Sequence, residues 1–470
     1  MKIGLTVSAA LTLAAMHGAA TIPAASAQAG PSEPSRDQIA AGSEAERQRE
    51  LKLLGISATH TPMSARVLNV PDVANYDEAK ANPYPKLPAL MVTNSGAKVT
   101  TADQWWKVRR PEILEIFDRE VYGRVPANVP PVRWYVMEEV EDVVGTTPVL
   151  VKKLVGHVDN SAAPNLNVDI MMTVTTPLSA QGRRIPAIMS FGSVAPRQFR
   201  PAGGYLTPQP PRSVDPLRQV IDKGWAYVVI DTNSIQADNG AGLDKGIIGL
   251  TNKGQPRKLD DWGVLRAWTW GASRGVDYLE TDTDIDPKQI AIMGMSRTGK
   301  AAVVAQAYEP RFALGYIASS GAGGVNLYRR NYGEGIPNIA SVAEYHWFAG
   351  NFLKYDAVDK TANDLPVDSH EFLALIAPRP TFIGTGTTTL TPAELVPGDG
   401  WVDARGMFMA SVAASPAWAL LGKHGIQTDR FPAMLTYLGD GDIGFREHQY
   451  GHTPAPNWPY FLQFASKYFK

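Results

Sequence analysis

Two hydrophobic periodicities divide this chain, and the change between them comes near residue 185. Over residues 132–176 apolar and polar positions alternate, with β-branched residues enriched, as in Val149-Leu150-Val151 and Val168-Asp169-Ile170-Met171-Met172-Thr173-Val174. A period of two predicts antiparallel strands. From Ile185 onward the apolar residues gather instead in short runs: Ile185 to Ser190, Ala226 to Ile230, Ile290 to Met293, Ala313 to Ala318, Thr381 to Gly384 and Ile443 to Arg446. Helical patterns separate them, among these Asp261 to Leu279, Arg297 to Tyr308 and Trp458 to Tyr468. Buried strands alternating with helices predict a mostly parallel sheet covered on both faces, a three-layer αβα sandwich. The antiparallel strands can extend that sheet at its N-terminal end, so residues 75–470 are expected to form one domain.

Upstream the pattern fades. Thr101-Ala102-Asp103-Gln104 opens a helix that runs through Trp105, Trp106, Ile113, Leu114, Ile116 and Phe117 and ends before Gly123. Asn75 to Pro88 is Pro-rich and reads as extended chain. Residues 28–74 are expected as a flexible leader with at most a short surface helix, because residues 28 to 62 are rich in Ala, Ser, Glu and Gln and hold no apolar period. Residues 1–27 read as a signal peptide: Lys2, an apolar stretch from Ile3 to Met16, and an Ala25-Ser26-Ala27 cleavage site. No later stretch approaches the roughly 18 unbroken apolar residues of a membrane span, so the mature chain is expected to be soluble and exported, to the periplasm or the medium.

The run Ile290 to Met293 leads into Gly294-Met295-Ser296-Arg297-Thr298-Gly299-Lys300 and then an Ala-rich helical pattern. Strand, Gly-x-Ser, helix is the layout of a nucleophile elbow, which exposes a serine hydroxyl beside a helix N-terminus. Thr298 stands where the common motif has its second glycine, and Gly299 follows one residue late. The segment is not a phosphate-binding loop, since Ala301 follows Lys300 where such a loop needs Ser or Thr. A serine nucleophile needs a base and an orienting acid, and in α/β-hydrolases the chain order is Ser, acid, His. After Ser296 come the strand Thr381 to Gly384, a loop with Glu394, Asp399 and Asp403, the strand Ile443 to Arg446, and then His448-Gln449-Tyr450-Gly451-His452. His452, after a glycine and before Thr453-Pro454, reads as the base; His448 reads as structural.

Composition narrows the chemistry. The 470 residues include no cysteine, which excludes disulfides and thiolate metal sites, and the eight histidines show no metal-ligand spacing. Neither metal nor cofactor is expected. A net charge of −1, from 45 basic and 46 acidic residues, argues against nucleic acid or a charged membrane surface as partner. Eleven Trp and 17 Tyr suit contact with sugar rings.

Gly-x-Ser-Arg-x-Gly-Lys at 294–300 resembles the nucleophile motif of the glucuronoyl esterases, which cleave esters between 4-O-methyl-glucuronic acid on xylan and lignin alcohols. The resemblance runs from about Asn75 to the C-terminus. It extends to Trp105 to Pro126, to Glu344-Tyr-His-Trp-Phe-Ala-Gly-Asn-Phe352, to the stretch from Asp368 to Pro380 ending Leu-Ile-Ala-Pro-Arg-Pro, and to Gly451-His-Thr453. It implies an α/β-hydrolase fold, Ser296 as nucleophile, His452 as base and Arg297 as the cation beside the oxyanion. Lys300 and Glu344 would bind sugar hydroxyls, and Trp401 would line the substrate site. Many members carry the acid just before Ser-Gly-x-Gly-Gly, where this chain has Ser319. The acid must then come from the later loop, as in some bacterial members: Asp399 first, from a family-like Asp-x-Trp, then Asp403, then Glu394. The substrate implied is a glucuronoxylan or lignin–carbohydrate ester, met by a monomer. The alternatives are a carbohydrate esterase of acetyl-xylan type or a non-catalytic carbohydrate-binding protein on a hydrolase fold.

Overall fold

The computed structural model describes residues 34–64, 70–194, 215–387 and 399–470. The segment expected as a signal peptide, residues 1–27, and the candidate acid Glu394 lie outside the described residues. Among the described residues, nine strands form one mixed sheet: β1 (Val132–Val144), β2 (Thr147–Val158), β3 (Asp169–Pro177), β4 (Ile185–Gly192), β5 (Ala226–Asp231), β6 (Ile285–Met295), β7 (Phe312–Ala318), β8 (Thr381–Thr385) and β9 (Ile443–Glu447). Their order among the described residues is β1-β2-β3-β5-β4-β6-β7-β8-β9. The two periodicities map onto the two kinds of pairing. β1, β2 and β3 pair antiparallel and join β5 antiparallel, whereas β4 to β9 pair in parallel. This is the expected α/β-hydrolase architecture.

Among the described residues, six helices are eight residues or longer: α1 (Arg36–Leu54), α2 (Arg110–Glu120), α3 (Val264–Leu279), α4 (Arg297–Tyr308), α5 (Ala404–Leu420) and α6 (Trp458–Ala465). The C-terminal strands are unbroken apolar runs because both faces are covered. Along β6, Ile290 and Ile292 enter one core with Trp262, Trp268 and Val303, while Ala291 and Met293 enter a second with Tyr316, Phe382, Trp458 and Phe461. The helix begun at Thr101 has the expected N-cap, with Gln104 reaching back to the Thr101 amide, and passes through a π-turn over Trp105–Arg109 before α2.

The segment expected as a flexible leader departs from that expectation, since residues 36–54 are the 19-residue helix α1. Ser35 and Gln38 close a capping box at its start, and Gly55 ends it in the left-handed region. The face it buries is mostly polar, with Ser43, Arg47 and Glu50 beside the single core residue Leu51, which is why no apolar period announced it. Arg47 donates to the Ala340 carbonyl (2.9 Å) and pairs with Asp356 (3.2 Å); Glu50 pairs with the fully buried Arg257 (2.7 Å). Buried charges hold only when paired, so both partners had to be known before the docking could be seen.

Because β6 to β9 run in parallel side by side, the segments leaving their C-terminal ends share one edge of the sheet. Ser296, Ser319, Gly386 and His452 all lie just beyond those ends. The order reversal β5-β4-β6 opens the same edge, which is where open parallel sheets bind ligands.

Candidate active site

Ser296 stands between β6 and α4 with φ 59° and ψ −129°, a conformation that costs a non-glycine residue about 1–3 kcal/mol. Two glycines make the turn feasible. A side chain at Gly294 would strike the Thr298 carbonyl, and one at Gly299 would come within 2.5 Å of the Ala318 carbonyl on β7. The second close approach therefore falls one residue later than in the common motif. Thr298 has its own task at the position that glycine vacates: its hydroxyl donates to the Met295 carbonyl (2.8 Å) and lies 3.0 Å from the Met295 amide. The Ser296 amide donates to the Ala318 carbonyl (2.9 Å), which places the elbow beside Ser319.

Asp399 is fully buried, and its two oxygens divide the work. Oδ1 lies 2.6 Å from His452 Nδ1, while Oδ2 accepts from the Gly386 amide (2.6 Å), the Thr385 hydroxyl (3.1 Å) and the Ser319 hydroxyl. Burial pushes this carboxyl up, but the adjoining His452 ring and the bonds from His452, Ser319 and Gly386 outweigh it and hold it at about 2. Ser319, read above at the place of an acid, thus serves as a donor to the Asp399 carboxylate that follows the next strand. Two backbone bonds tie the loops together: the Asp399 amide to the Thr387 carbonyl (2.7 Å), and the Thr387 amide to the Tyr450 carbonyl (2.9 Å).

His448 is fully buried and spans its own loop. Nε2 bonds the Thr453 carbonyl (2.8 Å) and Nδ1 accepts from the Tyr450 amide (3.1 Å). That pattern needs the neutral tautomer with its proton on Nε2, and burial holds the ring below the ordinary histidine range. Asp403 also has a framework task. It pairs with the Arg330 guanidinium (2.6 and 3.1 Å) and accepts from the Gly406 amide (2.9 Å), capping α5. Burial pushes its carboxyl up despite that partner.

Lys300, expected as a ligand of sugar hydroxyls, is engaged within the protein in this structure. Lys300 is 3% exposed, and its ammonium donates to the carbonyls of Ser320 and Ala322 and to Glu334 Oε2, each at 2.7 Å. An ammonium has three N–H donors and no acceptor, so all are spent on holding the segment after β7. Arg297 differs: its side chain is 56% exposed and Nη1 donates to Asp238 Oδ2 at 2.5 Å. Glu344 is half-buried, and its Oε2 is buried with no hydrogen-bond partner among the described residues. Burial, then the neighbouring Glu334 carboxylate, push its carboxyl up to about 8 against the Lys300 and Arg297 cations. Trp401 is half-buried in the single turn Gly400–Val402 that links Asp399 to Asp403, and its carbonyl accepts from the Glu334 amide (2.8 Å).

Three residues of this region escaped the sequence reading. Glu334 stands between Gly333 and Gly335, and Gly333 closely approaches the Trp401 carbonyl, so a charge between two glycines was the available signal. Ser319 was read only as a lost acid. Asp238, in the loop after β5, carries no local signal at all.

The profile of a family described as fungal glucuronyl esterases matches residues 217–422. A solved glucuronoyl esterase of carbohydrate esterase family 15 from Teredinibacter turnerae T7901 is 37% identical, with a TM-score of 0.82, covering 90% of this chain and 99% of its own. A glucuronoyl esterase from Solibacter usitatus is 31% identical, with a TM-score of 0.70, over 83% of this chain and 99% of its own. The curated carbohydrate esterase MZ0003, from an unknown prokaryotic organism, is 29% identical over 83% of this chain and 91% of its own.

Proposed function

This chain belongs to the glucuronoyl esterase family and is a carboxylic ester hydrolase, and we propose that Ser296, His452 and Asp399 carry its cleavage of glucuronic acid esters. Ser296 Oγ attacks the C6 carbonyl of the uronate while His452 Nε2 takes the hydroxyl proton. The tetrahedral intermediate collapses, and the alcohol leaves with that proton. Water then gives a proton to His452, attacks the acyl-enzyme and releases the uronic acid as Ser296 regains its hydrogen. Asp399 remains ionised throughout, holding the proton on Nδ1 so that Nε2 presents its lone pair, and stabilising the imidazolium. Arg297, at the first turn of α4, meets the negative oxygen of the intermediate, where helix dipole and guanidinium act together.

The observation that carries this reading is the bonded series from Ser319 through Asp399 to His452, one strand over from a strained serine elbow. Glu344 and Trp401 are proposed to meet the sugar ring. A neutral buried carboxyl can donate to an ether oxygen as well as accept from a hydroxyl, which suits a 4-O-methylated uronate. The natural substrate is proposed to be the lignin–glucuronoxylan cross-link, reached after export directed by residues 1–27. N-terminal sequencing of exported protein should then begin near Gln28.

The test compares a methyl ester of glucuronic acid with p-nitrophenyl acetate. A site with an unpaired polar group rejects substrates that leave it unpaired, so the glucuronate ester should be strongly preferred. Ser296→Ala and His452→Ala should each lower kcat by on the order of 10⁴. Equal rates on the two esters would point to a generic carbohydrate esterase.

A further inference from the structure

We propose that Asp238 is a positioning residue for ester cleavage, its carboxylate holding the Arg297 guanidinium in the orientation that receives the oxyanion. The inference rests on the reading of Arg297 given above. Arg297 is a long side chain at the exposed mouth of the elbow, and an untethered arginine there would sample many rotamers. Asp238 removes that freedom. Its Oδ1 accepts from the Trp347 indole N–H (2.6 Å) and from His346 Nε2 (3.0 Å), and its Oδ2 accepts from Arg297 Nη1 (2.5 Å). One oxygen fixes the carboxylate to the protein, and the other fixes the guanidinium.

The charges support the same role. His346 is buried and its Nδ1 has no partner among the described residues, and burial holds the ring below the ordinary histidine range. A neutral His346 must carry its proton on Nε2 to donate to Asp238, so among the described residues Arg297 is the one cation in direct contact with this carboxylate. Burial raises the Asp238 carboxyl, but His346, Arg297 and Trp347 together bring it well below the usual range, so it stays an anion. The Trp347 ring centre lies 5.8 Å from the Arg297 guanidinium and 5.7 Å from the Lys300 ammonium, close to both cations. In the sheet, Asp238 follows β5 and Arg297 follows β6, with β4 between them. The pair therefore bridges the strand-order reversal where the substrate is received. An ion pair this exposed adds little to stability; its effect is on where the charge stands when the oxyanion forms.

The experiment is a double-mutant cycle on the full chain, reading kcat and KM on the methyl glucuronate ester with thermal unfolding alongside. Asp238→Asn keeps an oxygen for His346 and Trp347 but can turn an N–H toward Arg297. It should lower kcat by about tenfold to a hundredfold with KM nearly unchanged, since oxyanion contacts form in the transition state. In the Arg297→Ala background the same substitution should cost nothing further, the signature of a residue acting through another. Trp347→Phe removes one donor to Asp238 and keeps an aromatic ring, so it serves if Asp238→Asn fails to fold. It should give a smaller kcat loss that is also absent without Arg297. If Arg297→Ala lowers kcat and the Asp238 and Trp347 losses persist in that background, or are absent in the wild type, the positioning role is overturned while the Arg297 reading stands. If Arg297→Ala leaves kcat unchanged, the oxyanion reading fails and the clamp with it.

Discussion

Asp399 and Asp403 stand at the two ends of one turn, Gly400–Val402, and both are buried, at 0% and 1% exposure. Their surroundings could hardly differ more. Asp403 faces a permanent cation, Arg330, which Glu78 grips from its other side (3.0 Å), and it caps a helix. Asp399 faces hydroxyls, an amide and a histidine ring. Burial is common to both, and so is a cationic or cation-capable partner, so neither marks a catalytic acid. What separates them is whether the partner can gain and lose a proton during a reaction cycle. An arginine cannot, and a histidine can. The depressed Asp399 carboxyl, with an ordinary value of 3.8, stabilises the fold above that pH and loses this contribution only as pH falls through about 2. It is therefore ionised at any pH where hydrolysis would be assayed.

The sharpest way to break this contrast is to neutralise each carboxylate. Asp399→Asn should lower kcat by on the order of 10²–10⁴ through the wrong His452 tautomer, with the protein still folded. Asp403→Asn should leave kcat within about threefold but weaken the fold by about 1–3 kcal/mol, because the buried Arg330 loses one of its two carboxylates and keeps Glu78. Steady-state kinetics and urea unfolding read the two effects separately, and an exchange of the two phenotypes would exchange the roles. Glu344 adds a third kind of carboxyl, one that burial and the Glu334 carboxylate push up. Glu344→Ala should raise KM for the glucuronate ester by about tenfold or more. Glu344→Gln copies the neutral acid and should keep KM within about threefold at pH 7. It should also remove any rise in KM as the pH passes about 8, where the wild-type carboxyl ionises. A Gln variant as poor as the Ala variant at pH 7 would show that the charged form binds substrate.

Smaller effects refine the acid's setting. Ser319→Ala leaves the Asp399 carboxylate one donor short and should lower kcat by about tenfold, the scale of a hydrogen bond to a charged group. Ser319→Glu brings a second carboxylate against Asp399 and should be worse than Ala, which a kcat comparison would decide. His448→Gln should be the mildest, a loss of about threefold in kcat, since Thr453 and Tyr450 lose their ring partner while His452 keeps Asp399. A loss matching that of His452→Ala would make His448 the base.

The parts of this molecule legible in its sequence are those written in local pattern. Unbroken runs gave the parallel strands because both faces of the sheet are covered, and Gly294 and Gly299 marked the elbow because backbone approaches there exclude a side chain. The order of the proposed triad followed from strand succession. What stayed hidden depends on partners distant in sequence. Helix α1 docks through Arg47 and Glu50 onto Asp356 and Arg257, some 200 to 300 residues away, so apolar periodicity had nothing to report. The acceptors around Lys300, two of them main-chain carbonyls, likewise have no sequence signature. Asp238 shows the same limit from the other direction: a loop aspartate gains its meaning only from Arg297, His346 and Trp347 converging on it.

The central claim is that Ser296 is a nucleophile whose activation runs through Asp399 and not Asp403. Labelling with a fluorophosphonate, located by peptide mass and timed in the wild type, Asp399→Asn and Asp403→Asn, tests it most directly. The account predicts modification on Ser296 alone, at the wild-type rate in Asp403→Asn and at least about a hundredfold slower in Asp399→Asn. Modification of another residue, or slowing confined to Asp403→Asn, would contradict it.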